Sequence, residues 1–290
     1  MTRIITSLSE ISESYDALFC DLWGCVHDGL APFAEAVAAL QAFRARGGTV
    51  MLVTNAPRAH APVRRQLDRL GVPSDAYDGI ATSGDSARAA MLRGAVGEKV
   101  YFIGQPHDQD FFAPLELIEN PVTISQVPLE QAEGMVCCGP FDPLADPKEM
   151  RAQFLQAETR GLKLLCANPD IVVDRGETRE WCAGALAKLY TEMGGESLYF
   201  GKPHPPIYDL ARRRLQALGK DIPDSRILCV GDGILTDIDG AMGEDLDSLF
   251  ITGGLAARET QTADQPDPKA LMAYLTKEMR QPAYSIGKLR

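Results

Sequence analysis

No apolar run in the 290-residue chain approaches the ~18 residues that a membrane-spanning helix needs. The opening stretch, MTRIITSLSEISESYD, also lacks the apolar core of a secretory signal, so a cytoplasmic location is expected. Basic residues are outnumbered: the net charge is −11, which argues against the basic footprint of a nucleic-acid binder. Local basic runs such as ARRRLQALGK (211–220) read as the solvated face of a helix. Paired cysteines are missing too. The seven cysteines are odd in number and scattered, and Cys20, Cys137, Cys138, Cys166 and Cys229 fall in apolar runs that suit buried free thiols. The CC at 137–138 has no CxxC partner and the four histidines lie far apart, which argues against zinc. Repeats and low-complexity tracts are absent as well.

What is present is an alternation of strand-like and helix-like segments over nearly the whole length. ALFCDLW reads as a strand, PFAEAVAALQAFRARGG as a helix with a proline start and a glycine stop, TVMLVTN as a strand and PRAHAPVRRQLDRLG as a helix. Later come SLYFGKP, RILCVGD and SLFITGG as strands, with PPIYDLARRRLQALG and LTDIDGAMGED as helices between them. The apolar runs are continuous rather than alternating, which marks parallel strands covered on both faces. The predicted core is therefore a doubly wound, Rossmann-like parallel α/β sheet. A second series (KVYFIG, VTISQV, GMVCCG, LKLLCANPD) makes a smaller α/β module inserted into it. The expected division is 1–83 with 185–290 for the core and 84–184 for the insertion.

Open parallel sheets bind ligands at the carboxyl ends of their strands. Four such ends carry chemically useful residues here. They are Asp21 in DLWGCVHDG, Thr54 and Asn55 in TN, Lys202 in GKP, and Asp232 and Asp237 in GDGILTD. A lone Asp after a strand is usually a turn former or helix cap; the ordered set of four points to phosphoryl transfer. Asp21 suits a carboxylate nucleophile on a loop opened by Gly24. Anion attacking anion requires neutralised charge, so Mg²⁺ is expected, with Asp21 and Asp232 as ligands and Asp237 orienting a bound water. Lys202 adds a fixed positive charge, and the Thr54 hydroxyl with neighbouring backbone N–H groups suits phosphate oxygens. A receiver-type signalling domain also pairs Asp with Thr and Lys, but the inserted module and the wide spacing from Thr54 to Lys202 exclude it.

These four pieces resemble the motifs of the haloacid dehalogenase (HAD) superfamily. The insertion between VTN and GKP resembles the α/β cap of its class IIA members, which include sugar-phosphate, phosphoglycolate and pyridoxal-phosphate phosphatases. ATSGD, NPD (168–170) and GKPHPPIY fit the same subgroup. The resemblance spans roughly residues 15 to 255. It implies that Asp21 is the nucleophile, that Asp21, Asp232 and the Trp23 carbonyl bind Mg²⁺, and that Thr54, Asn55 and Lys202 hold phosphate. It further implies a cap that closes over a small phosphorylated metabolite. A homodimer through the cap is the assembly it allows, with neither nucleic acid nor membrane as partner.

Trp23 departs from the pattern, because phosphatases of the superfamily carry a second Asp there that protonates the leaving oxygen and then activates water. Three readings follow. The chain is a phosphohydrolase whose acid–base group has moved, to His27 or Asp28 in the loop or to Asp170 or Asp174 in the insertion. Alternatively it is an impaired relative that binds or senses a phosphorylated ligand. Carbon–halogen cleavage comes last, since it has little use for the retained GDGILTD acids. Trp23 itself suits either stacking against a substrate ring or packing at the cap contact.

Overall fold

The computed structural model describes residues 2–113, 120–175 and 178–290, the side chains of residues 174 and 175 excepted. The first strands are β1 (Arg3–Ile4), β2 (Ala17–Cys20), β3 (Thr49–Thr54) and β4 (Gly79–Thr82). Next come β5 (Lys99–Ile103), β6 (Ser125–Gln126), β7 (Gly134–Cys137), β8 (Lys163–Cys166), β9 (Val172–Arg175), β10 (Thr178–Trp181) and β11 (Glu196–Tyr199). The chain ends with β12 (Ile227–Gly231), β13 (Asp247–Ile251) and β14 (Tyr284–Ile286).

Seven strands form one sheet in the order β1-β14-β13-β12-β2-β3-β4. Pairing is parallel from β1 across to β3. β2, β3 and β12 are buried at every position, as parallel strands in a sheet interior must be. From β2 the chain winds outward through β3 and β4, and from β12 outward through β13 and β14. The direction of winding reverses between β2 and β12, which is where an open α/β sheet binds ligands. Register is set there by Cys20 opposite Val230, with the Asp21 N–H donating to the Val230 carbonyl at 2.8 Å. The residues following β2 and β12 therefore emerge side by side.

The helices are α1 (Ala34–Ala45), α2 (His60–Leu70), α3 (Ser83–Leu92), α4 (Arg151–Thr159), α5 (Ala183–Glu192), α6 (Pro205–Ala217), α7 (Asp239–Gly243) and α8 (Pro268–Glu278). α6 starts on two prolines, whose missing N–H groups would be unsatisfied at that end anyway. Its buried Ile207, Tyr208, Ala211 and Leu215 pack with Phe19, Met51 and Cys229 of the sheet. LTDIDGAMGED, expected as one helix, is a wide π turn at Ile234–Ile238 followed by the short α7. None of the described helices is long and apolar enough to cross a membrane.

The chain divides into two compact units: 1–54, 64–81 and 202–290 in one, 55–63 and 82–201 in the other. The second unit contains a five-stranded sheet, β11-β8-β7-β5-β6, and the antiparallel hairpin β9–β10. It runs to Gly201, past the expected end at 184, because SLYF pairs as β11 with β8 and not with the seven-stranded sheet. α5 goes with it: Ala183, Leu186 and Tyr190 are buried against Met135, Phe154 and Leu164. VTISQV contributes only the two residues of β6.

That packing makes a prediction. Leu186→Ala should destabilise the protein by about 2–5 kcal/mol, the usual cost of emptying a buried leucine site. Hydrogen exchange should quicken at the β7 and β8 amides while those of β2 and β12 keep their protection.

Candidate active site at the switch point

Asp21 leaves β2 at the reversal and is buried, as are Lys202, Asp232 and Asp237. Lys202 donates from Nζ to Asp21 Oδ1 and to Asp237 Oδ1, each at 2.6 Å. Asp237 completes its own shell by accepting from the Gly233 N–H at 3.0 Å. The structure thus makes Asp237 the partner that holds Lys202. Asp232, one residue past β12, accepts from the Leu255 N–H at 3.0 Å. Gly24 lies against it with φ at +72°, and a Cβ at that position would stand 2.2 Å from Asp232 Oδ2. Only glycine satisfies both the left-handed backbone and that approach.

Three buried carboxylates thus face one buried ammonium. Burial pushes the Asp232 carboxyl well above its ordinary range, reinforced by the charges of Asp21 and Asp237. Asp237 is pushed up to about 6, by burial first, with Lys202 opposing. Such an excess of negative charge away from water calls for a cation. Carboxylate oxygens of Asp21 and Asp232, with the Cys25 sulfur, lie within 4.8 Å of one another. Oxygen donors of this kind suit Mg²⁺, so the residues present fit the ion. Asp237 is outside that close group. Cys25 is the neighbour that motif reading overlooked, although it lies only four residues after Asp21 in the same loop. Its thiol is pushed well up by burial and stays neutral.

The loop after Asp21 is folded on itself. Val26 and His27 N–H groups donate to the Leu22 carbonyl, and the Gly24 N–H to that of His27. The Trp23 ring meets His27 edge to face, with centroids 5.1 Å apart. A Cβ on Gly29 would stand 2.2 Å from the same indole. Trp23 therefore packs within its own loop. His27 is buried, its Nδ1 accepts from the Gly29 N–H at 3.0 Å, and burial lowers its pKa to about 4. It is a neutral structural histidine.

Asp28, expected as a candidate for the relocated acid–base group, sits in the turn after His27. It is exposed, and its Oδ1 accepts from the Leu30 and Ala31 N–H groups, both at 2.8 Å. Those bonds hold its pKa below the usual carboxylate range and make it the turn former of HDG. Thr54 is buried at the end of β3. Asn55 belongs to the second unit, where its side-chain amide donates to Asp170 Oδ1 at 2.8 Å. The side chain of Asp174 lies outside the described residues.

The carboxyl pKa values fix the sign of a pH effect. Asp232 and Asp237 titrate higher in the folded chain than the ~4 of an unfolded aspartate, so without metal their contribution to stability falls as pH rises. A cation requires the deprotonated forms, so its stabilising effect must grow in the same direction. The rise in Tm on adding Mg²⁺ should be small near about pH 5 and increase toward about pH 8, and Asp232→Asn should remove that increase.

Comparison with known proteins agrees with this geometry. The haloacid dehalogenase-like hydrolase family matches residues 18–117, and a HAD-hydrolase-like pattern matches 199–277. A 5'-nucleotidase of Bacillus subtilis, YutF, is 25% identical over 266 residues, covering 91% of this chain and 97% of that protein. The crystal structure of glycerol phosphate phosphatase from Mycobacterium tuberculosis in complex with magnesium is 25% identical, with a TM-score of 0.68, covering 99% of this chain and 78% of the other. A haloacid dehalogenase-like hydrolase from Brucella suis is 38% identical, with a TM-score of 0.86, covering 99% of this chain and all of the other. With Asp21, Lys202, Asp232 and Asp237 gathered at the switch point of a doubly wound sheet, the chain belongs to the haloacid dehalogenase-like hydrolase family.

Proposed function

We propose that the protein is a phosphoric monoester hydrolase acting on a small phosphorylated metabolite through an aspartyl phosphate on Asp21. The observation that carries this is the buried Asp21 carboxylate held by Lys202 beside Asp232. The phosphatase and nucleotidase activities named for its relatives support the same reading. Asp21 attacks phosphorus, the ester P–O bond breaks, and the departing alkoxide takes a proton. Water then attacks the acyl phosphate, releasing inorganic phosphate and restoring the carboxylate. Asp21, Asp232 and the Trp23 carbonyl would hold Mg²⁺, which supplies charge neutralisation between nucleophile and phosphate. Lys202 keeps the nucleophile oriented and balances charge on the transferring group, with Asp237 fixing the ammonium. Thr54 and Asn55 bind phosphate oxygens, and the second unit serves as the cap that selects substrate.

A second reading, a phospholigand-binding or sensor protein, is favoured by the loop. Trp23, His27 and Asp28 are all committed to its folding, so none of them is poised as the missing acid–base group. Loss of such catalysis costs roughly 10²–10⁴-fold in rate. The deficit falls unequally on the two chemical steps. A nitrophenolate leaving group needs little protonation, whereas the attacking water still needs a base.

Rapid mixing with p-nitrophenyl phosphate and Mg²⁺ should give a nitrophenol burst approaching one equivalent, then slow turnover. Asp21→Asn should abolish both phases, since an amide cannot serve as the nucleophile. A linear course at ordinary phosphatase rates would mean that the missing acid is fully replaced. Bound phosphate with neither burst nor turnover would favour the sensor.

A further inference from the structure

The NPD turn that follows β8 reaches back to the segment just after Thr54. Asp170 donates its N–H to Asn168 Oδ1 at 3.0 Å, and its own Oδ1 accepts from Asn55 Nδ2 at 2.8 Å. The turn is pressed in place by α5: the Gly184 N–H donates to the Asp170 carbonyl at 3.1 Å. A Cβ on Gly184 would stand 2.0 Å from the Pro169 oxygen. The amide of Asn55 has its oxygen on the other side, where a Cβ on Gly201 would stand 2.4 Å from Oδ1. Asn55 is buried. An ionised carboxylate only accepts, so Asp170 decides which end of the amide carries the hydrogens. The rest of the segment is tied to the same unit, through the Gly84 N–H to the Ala56 carbonyl (3.0 Å) and the His60 N–H to Asp85 Oδ2 (3.2 Å).

We propose that Asp170 is a positioning residue: by accepting from the Asn55 amide it holds Asn55 in the orientation from which the Thr54–Asn55 pair meets phosphate. This assigns Asp170 a role other than proton transfer, and it rests on the reading that Thr54 and Asn55 hold phosphate. The bond needs an acceptor oxygen at residue 170 and not a titrating group. Asparagine there keeps an acceptor; alanine does not.

The test uses the full-length chain with Mg²⁺, titrating inorganic phosphate by calorimetry and following p-nitrophenyl phosphate kinetics over pH. Asp170→Ala should weaken phosphate binding about tenfold, ~1.4 kcal/mol, and raise KM more than it lowers kcat. Asp170→Asn should restore both to within about twofold and leave the pH profile unchanged, a rescue that a gross folding defect would not show. Asp170→Ala with wild-type phosphate affinity, while Thr54→Ala weakens it, overturns the inference alone. Asp170→Asn as impaired as Asp170→Ala, with one limb of the pH profile lost, overturns it in favour of proton transfer. Thr54→Ala with unchanged phosphate affinity overturns the phosphate site itself and the inference with it.

Discussion

The site depends on one buried ammonium. Lys202 bridges Asp21 and Asp237, and everything around it serves to keep three carboxylates close without letting water in to separate them. Asp237 is fixed by the N–H of Gly233, Asp232 by that of Leu255, and Gly24 gives up a side chain so that Asp232 can approach. Buried charges held this way are costly unless fully partnered, and here the ammonium answers only part of the negative charge. Protonation relieves the remaining excess, as the raised Asp232 and Asp237 carboxyls show, and a bound cation would relieve it in another way.

Trp23 changes the character of the neighbouring loop. In place of a carboxylate facing the reacting group, the loop has an indole packed on His27 and Gly29. The polar residues after it, His27 and Asp28, satisfy backbone N–H groups of their own turn. A loop whose polar groups are satisfied internally leaves Asp21 at the end of β2 with its bond from Lys202 intact. Under the proposed reaction, nucleophilic attack keeps its parts while proton transfer has none in this loop.

The candidate site residues are legible in the sequence because they directly follow continuous apolar runs. Asp21 after ALFC and Asp232 after ILCVG mark strand ends of a parallel sheet whatever the tertiary detail. Lys202 also follows an apolar run, SLYF, which reads as a strand of the core but pairs in the five-stranded sheet. An apolar run has the same composition in either sheet, and only the pairing of β11 with β8 decides. Asp28 is ambiguous for a related reason: a turn-forming Asp and a catalytic Asp look alike in sequence, and only the fold shows the N–H groups of Leu30 and Ala31 on the carboxylate. The two-residue β1 and the three-residue β14 are too short to leave a pattern. The bond from Asn55 to Asp170 joins residues 115 apart, a separation over which no local periodicity carries information.

Where the two compact units divide has a consequence for the chemistry. Of the four crossings, one falls between Thr54 and Asn55 and another between Gly201 and Lys202. These two fall within the TN and GKP motifs, at residues proposed to hold phosphate. Thr54 is anchored by β3 of the seven-stranded sheet, while Asn55 takes its orientation from Asp170 in the second unit. A peptide bond joins residues whose surroundings are built by different folding units. Any change that reshapes the NPD turn is then felt at Asn55, through its bond to Asp170. Asp21, Lys202 and Asp237, by contrast, are bonded to one another within the first unit, so the orientation of Asn55 and that charge network are set by separate hydrogen bonds.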